Sequence, residues 1–322
     1  MLTPPLLSRR HARTVLSKKY GVQAVRFTHC PTAVLYASSA RAPDHALRYL
    51  SLHSNAFIRY FPGHTAPCTH IALNPANDTF LSVAPGDAVR LWDLRAPTAL
   101  GALPLPPHAS SVLAAHDPTG LVFAVATGDT GDTGDQHLRF YDARRWERGH
   151  FASFRVTASA PIGPWGVLRF SPDGTRILLS GGSDGTFTGN GNGTSTGTSL
   201  STGTSLATGT PAAALVLDAF RGDILNVLVP PATPHAHIRY SPSTFTFTPD
   251  AQWIMAGRSD GVCSVWPNSA ASATASAPAF TPPALDTLPS PSAEPITGLA
   301  FNPRLASFIT TTPSSLFFHL PV

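Results

Sequence analysis

Short alternations of apolar and polar residues, each broken by a proline-centred turn and followed by a second apolar run, recur six times along the chain. The phrase reads AVRFTHCPTAVLY from Ala24, THIALNPANDTFLS from Thr69 and SVLAAHDPTGLVFA from Ser111. It returns as GVLRFSPDGTRILLS from Gly166, TFTFTPDAQWIMAG from Thr244 and TGLAFNPRLASFIT from Thr297. Period-two alternation over a few residues marks a half-buried strand, and Pro with Asp or Asn between two such runs marks a tight turn. The turn prolines Pro31, Pro75, Pro118, Pro172, Pro249 and Pro303 are spaced by 44, 43, 54, 77 and 54 residues. The long interval contains a Gly/Ser/Thr/Asn-rich stretch, and discounting its 29 residues, 182–210, leaves 48. A repeat of about 40–50 residues holding several short strands predicts a β-propeller, an all-β fold built of radial blades.

A third strand follows in each unit: ALRYLSL from Ala46, VRLWDL from Val89, LRFYDAR from Leu138, ALVLDAF from Ala214, VCSVW from Val262 and SLFFHL from Ser315. A fourth leads toward the next unit, as in NAFIRYF from Asn55, so six units of four strands predict six blades. Two third strands end in Trp92-Asp93 and its close variant Tyr141-Asp142, and Gly63-His64 stands 28 residues before the first of these. This pattern resembles WD repeats. The resemblance implies that His64, Ser82, Asp87 and Trp92 form a buried hydrogen-bond chain that fixes the blade's loops, a structural and not a catalytic role. Asp87 lies five residues before Trp92 where six is usual, whereas Asp260 lies six before Trp266. Asp93, Tyr141, Asp142, Asp260 and Trp266 are assigned to the same structural pattern.

Composition narrows the class further. Apolar residues make up 43% of the 322, enough for a large core, while the 32 prolines argue against long helices. The net charge of +4 is spread along the chain apart from one run, Arg9 to Lys19, so no basic element marks a nucleic-acid footprint and no direct nucleic-acid partner is expected. No apolar run is long enough to cross a membrane. Cys30, Cys68 and Cys263 are few and scattered, which fits a reducing compartment. The stretch 182–210 has almost nothing to bury and is expected to be a low-complexity loop, as is the Pro/Ala/Ser-rich 270–291. Residues 1–13 are read as an N-terminal tail and 14–322 as the propeller.

The rival reading is a propeller hydrolase. It needs converging acids, histidines or metal ligands at the channel mouth. His235 and His237 alone have ligand-like spacing, without a third ligand, and most acids sit in turns, such as Asp173 and Asp250, where Asp stabilises the turn itself. No cofactor, no metal and no catalytic residue is therefore assigned. For a single-stranded RNA binder, exposed aromatics among basic residues would be needed, and Lys18, Lys19 and Tyr20 form the one good cluster. Those three, extended by Arg59 and Arg95, are the candidate partner-binding face, suited to an acidic or phosphorylated peptide.

Several stretches are more specific than the WD pattern: SKKYG from Ser17, LRYLSLHSNAFIRYFPGH from Leu47, DTFLS from Asp78, VRLWDLRAP from Val89 and FYDARR from Phe140. With them go LRFSPDGTRILLS from Leu168, LDAFRG from Leu217 and FNPRLASF from Phe301. Together they resemble the family of WD-repeat subunits of the COMPASS histone lysine methyltransferase, over nearly the whole chain outside 182–210 and 270–291. The resemblance implies a nuclear, non-catalytic adaptor that recruits a SET-domain methyltransferase to transcribed chromatin. It further implies partners among the subunits of the cleavage and polyadenylation factor, which processes RNA 3′ ends, and the phosphorylated tail of RNA polymerase II. The family's members begin with one further repeat and so have seven blades. Here ARTVLSKK, 12–19, is expected to supply the fourth strand of the last blade beside SLFFHLPV, and a misplaced start codon would account for the missing repeat.

Overall fold

The computed structural model describes residues 14–106, 109–129, 136–156, 165–181, 214–228, 240–268, 286–289, 292–302 and 307–319. They form six antiparallel sheets, each made of strands consecutive in sequence. Blade 1 holds β1 (Val25–Phe27), β2 (Ala33–Ala37), β3 (Leu47–Ser51) and β4 (Ala56–Phe61). Blade 2 holds β5 (His70–Leu73), β6 (Thr79–Val83), β7 (Ala88–Asp93) and β8 (Gly101–Pro104). Blade 3 holds β9 (Ala109–His116), β10 (Val122–Asp129), β11 (Gln136–Asp142) and β12 (Ala152–Arg155). Blade 4 holds β13 (Trp165–Phe170), β14 (Arg176–Gly181), β15 (Ala214–Asp218) and β16 (Ile224–Leu228). Blade 5 holds β17 (Thr246–Phe247), β18 (Trp253–Gly257), β19 (Val262–Pro267) and β20 (Asp286–Pro289), and blade 6 holds β21 (Gly298–Phe301), β22 (Phe308–Thr311) and β23 (Leu316–His319).

Strand alternation divides each blade's side chains between two neighbours, because successive residues point to opposite faces. Leu35, Ala37 and Leu47 of blade 1 pack on Ile71, Phe80 and Trp92 of blade 2. The other face of blade 2, with Leu81, Val83 and Leu91, packs on Val112, Phe123 and Tyr141 of blade 3. The same logic joins blade 3 to 4 through Phe140 and Ile177, and blade 4 to 5 through Val216 and Trp266. Met255 and Cys263 of blade 5 meet Ile296 and Leu299 ahead of and within blade 6. Five interblade cores result. Val34, Tyr36 and Leu50, on the free face of blade 1, form a small cluster within that blade.

One register recurs. An apolar residue near the start of each second strand sits opposite a large residue late in the third: Phe80 with Trp92, Phe123 with Tyr141, Ile254 with Trp266 and Phe308 with His319. Three of these pairs are stacked rings, at interplanar angles of 12°, 9° and 4°. His319 thus takes the place that Trp92 holds in blade 2, which its residue type conceals.

Two expectations need correction. Residues 14–19 do not pair with β23, which among the described residues has β22 as its strand neighbour. Lys18–Tyr20 instead turn back over blade 1, where Ser39 N donates to the Tyr20 carbonyl at 2.9 Å. That local bond fixes the segment before it could reach blade 6. The span 270–291 is not all loop either: Asp286–Pro289 is β20, which pairs with β19 from Val262↔Pro289 to Val265↔Asp286 and completes blade 5. Its prolines sit at and beyond the strand's ends, where a missing N–H is tolerated on an edge strand. The insert 182–210 and the tail 1–13 lie outside the described residues.

Candidate partner-binding surfaces

Antiparallel order puts the second-to-third-strand loops and the connections between blades at one end of the ring, here called the upper end. First-to-second and third-to-fourth loops lie at the lower end. The predicted buried chain ties two upper-end segments of blade 2 together. Trp92 Nε1–H donates to Ser82 Oγ at 2.8 Å, and the Ser82 hydroxyl lies 2.5 Å from His64 Nε2. His64 Nδ1 is 2.7 Å from Asp87 Oδ2. The neutral imidazole satisfies every link by accepting from Ser82 and donating to Asp87. Burial favours that form by lowering the His64 pKa, against the pull of Asp87. Burial raises the Asp87 carboxyl, but hydrogen bonds from His64, Arg90 and the Thr65 N–H outweigh it and hold it below the usual range.

Blade 5 does not repeat this chain. Ala256 occupies the register position that Ser82 holds in blade 2, so the Trp266 indole N–H lacks the hydroxyl and is buried without a partner among the described residues. Asp260, despite its six-residue spacing, pairs with Arg258, Nε to Oδ1 at 3.0 Å. Asp93 and Asp142 are not in a buried chain either. Each caps a lower-end turn, accepting from the Arg95 and Arg144 backbone N–H at 2.8 Å. Asp218 does the same for Phe220 N–H, also at 2.8 Å, a three-blade device that the sequence reading missed. Tyr141 stacks on Phe123 with ring centroids 5.1 Å apart.

At the upper end of blade 1, Lys18 and Lys19 are exposed and Tyr20 is half-buried. Lys19 Nζ is 5.0 Å from the Tyr20 ring centroid, and its hydrogen bond heads the causes that lower the phenol pKa. Beneath the ring lies a residue not anticipated, Arg48, with Cζ 3.6 Å from the centroid. Arg48 is 1% exposed and grips both Asp44 oxygens, at 2.7 and 2.8 Å. The planar guanidinium can stack and pair at once, which a lysine could not do. The two other predicted members fall elsewhere. Arg59 on β4 points to the opposite face from Tyr60, whose ring is the one near Arg48, at 5.8 Å. Arg95 lies at the lower end, paired with Asp78 at 2.7 Å.

The lower end of blade 3 carries a cavity of about 460 Å³ lined by Arg144, Arg145 and Arg148 with Leu121 and Phe151. Among the described residues no group of three His, Cys, Asp or Glu could hold a metal, and His235 and His237 lie outside them. Cys68 and Cys263 are buried, and burial pushes both thiols up to about 12.

Five four-stranded sheets and one of three, a stacked third-strand ring and one complete His–Ser–Asp–Trp chain define a WD-repeat β-propeller. The family "WD domain, G-beta repeat" matches residues 55–93 and 229–267. A chain in the crystal structure of the Mitotic Checkpoint Complex superposes with a TM-score of 0.64 at 15% identity, over 95% of this chain and 76% of that one, a likeness of fold alone. WD repeat-containing protein 82 of Drosophila melanogaster is 33% identical over 255 residues, 79% of this chain and 67% of that protein. COMPASS component SWD2 of Saccharomyces cerevisiae is 31% identical over 258 residues, 80% of this chain and 66% of that protein. The chain belongs to the family of WD repeat-containing protein 82 and Swd2. It spans about two thirds of the length of these two relatives, and 47% of the Set1 complex component swd2 of Schizosaccharomyces pombe.

Proposed function

We propose that the chain is a non-catalytic, nuclear adaptor of a COMPASS-type histone lysine methyltransferase complex. The observation that carries this reading is its 31% identity, across 80% of its length, to a protein named as a COMPASS component. The architecture suits an adaptor, since blades stiffened by interblade cores and buried hydrogen bonds hold loops at two ends, which partners can read. SET-domain methyltransferase subunits are the partners the reading names. Subunits of the cleavage and polyadenylation factor are further partners, supported by the family resemblance. The exposed Lys18 and Lys19 beside Tyr20 are proposed as the face for a phosphorylated polymerase-tail peptide, with Arg48 as the support beneath Tyr20.

Purification of the tagged chain from its own cells tests the reading. Co-purification of a SET-domain subunit in stoichiometric amount is the expected result. Isolation of the chain without any methyltransferase subunit, or substrate turnover by the chain alone, would overturn it.

A further inference from the structure

The first strand of every blade presents its free edge to the central channel, and these inner strands carry an unbalanced charge. Across β1, β5, β9, β13, β17 and β21 the sequence places Arg26, His70, His116 and Arg169 and no Asp or Glu. His116 belongs to the blade core, edge-on to Phe123. The other three lie near enough for their charges to act on one another. Arg26 pairs in register with Leu35, Ala72 with Leu81, Ala115 with Ala124, Arg169 with Leu178, Thr246 with Met255 and Ala300 with Ile309. Each of these second-strand residues is the one next to the position opposite the late third-strand residue, so the six first-strand residues stand at one level of the inner strands. Ala72 and Ala115 of that level pack into the interblade cores, while Ala300 and Arg26 are exposed and Arg169 is half-buried, so the two arginines are its charged members. His70 lies on the same face of its strand as Ala72, one layer toward the upper end.

The guanidinium groups are poorly served by protein. Arg169 donates to Thr246 Oγ1 at 3.1 Å, across the blade 4–5 junction, and Arg26 to its own neighbour's carbonyl, Val25 O, at 3.0 Å. Each has five N–H donors to place. Neither has a carboxylate partner among the described residues. Arg26 is open to water yet enclosed enough for burial to lower its pKa, the condition of a side chain in a wet channel. Burial, with Arg26 adding, pushes Arg169 down to about 10, and burial with both arginines pushes His70 down to about 4. Charges enclosed by protein are ordinarily paired, because an unpaired one carries a heavy desolvation cost. Here two like charges share one enclosure.

We propose that the channel layer of Arg26 and Arg169 is a binding site for a small polyphosphate anion, which supplies the missing counter-charge. Guanidinium forks match phosphate oxygens in geometry, and two forks on different blades call for a ligand with more than one phosphoryl group. The site is lined by inner strands rather than by loops, which selects a compact free anion over a loop-bound peptide. It is also separate from the Lys18–Tyr20 face, so its existence does not depend on which complex the chain joins.

Inorganic triphosphate is the probe. Calorimetric titration of the full chain is run alongside sulfate at matched ionic strength, with Arg26→Gln, Arg169→Gln, the double variant and, as a surface control, Arg221→Gln. Triphosphate should bind the wild type and the control alike and raise the melting temperature of both. Each channel substitution should weaken it about tenfold, the loss of one charge-assisted pair, and the double variant should bind no more tightly than it binds sulfate. Ligand-free Arg169→Gln should melt no lower than wild type, since it removes an uncompensated charge; should it fail to fold, the exposed Arg26→Gln decides. Absence of binding by the wild type, or equal affinity in the channel variants, would overturn the proposal. Arginine-dependent binding of a phosphorylated peptide without any binding of triphosphate would overturn it too.

Discussion

At the scale of the residue, Trp92 and Trp266 form a natural comparison. Both are fully buried and both stack on a phenylalanine, Phe80 and Phe245, at ring centroid distances of 6.2 Å. They differ in one bond: Trp92 donates to Ser82, whereas the Trp266 N–H has no partner among the described residues, because Ala256 offers no acceptor. Replacing either by Phe leaves a similar void, so the void term nearly cancels between them. Trp92→Phe further strips a donor from a buried serine, while Trp266→Phe removes an unsatisfied donor. Urea denaturation should therefore show Trp92→Phe as the more destabilising by about 1–2 kcal/mol. Equal losses would mean that the His64–Ser82–Asp87 chain adds nothing to packing.

At the scale of the element, the blade is a hairpin series whose turns carry their own instructions. Asp117 and Asp173 accept from backbone N–H groups two residues on, at Thr119 and Thr175, which closes these first-to-second-strand turns locally, and the blade 3 turn is further tied to blade 2 by Asn74, whose side-chain amide donates to the Gly120 carbonyl at 2.9 Å. The second-to-third-strand connection in blade 4 is the one that contains 182–210. Its flanks are pinned by the β14–β15 ladder, which runs from Arg176↔Asp218 to Ser180↔Ala214. Loop-closure entropy grows only logarithmically with length, so those residues impose little on the ladder. Replacing 182–210 with a four-residue turn should shift the melting temperature by no more than a few degrees, about 1 kcal/mol at this size. A larger loss in calorimetry would show that the segment packs against the blades.

At the scale of the whole molecule, the proposed adaptor role rests on loops that the blades hold at one end. Tyr20 rests on Arg48, which comes from β3 of the same blade, and the cluster faces the end that also carries His64 and Asp87 of blade 2. Changing Lys18 and Lys19 to Ala should weaken binding of a phosphorylated polymerase-tail peptide and leave the melting point unmoved, since both side chains are exposed. The affinity of the wild type should also fall as salt rises, because surface charges are screened beyond about 8–10 Å at physiological ionic strength. A fluorescence titration giving equal affinity for wild type and double variant would remove the lysines from the site. Arg95 makes a useful negative control, since it lies at the opposite end and is held by Asp78.

The repeat and its strands were legible in the sequence because they rest on short-range rules, and the His64–Ser82–Asp87–Trp92 chain was legible through the resemblance to WD repeats. Period-two alternation, proline turns and fixed spacing are written locally, and a repeat shows them six times over. The sequence alone also marked Lys18, Lys19 and Tyr20 as a cluster, since they are contiguous. What it could not decide were contacts between residues distant along the chain. The stacking of Tyr20 on Arg48 spans 28 positions, and the pairing of Arg95 with Asp78 depends on which end a turn faces. Trp266 and Asp260 had the spacing for a second buried chain, yet a methyl at Ala256 in place of a hydroxyl left it unmade. Arg26 and Arg169 stand 143 residues apart and look in sequence like two ordinary strand cations. Only stacking the blades face to face brings their like charges under one another's influence, because the register of each inner strand is set by the sheet behind it.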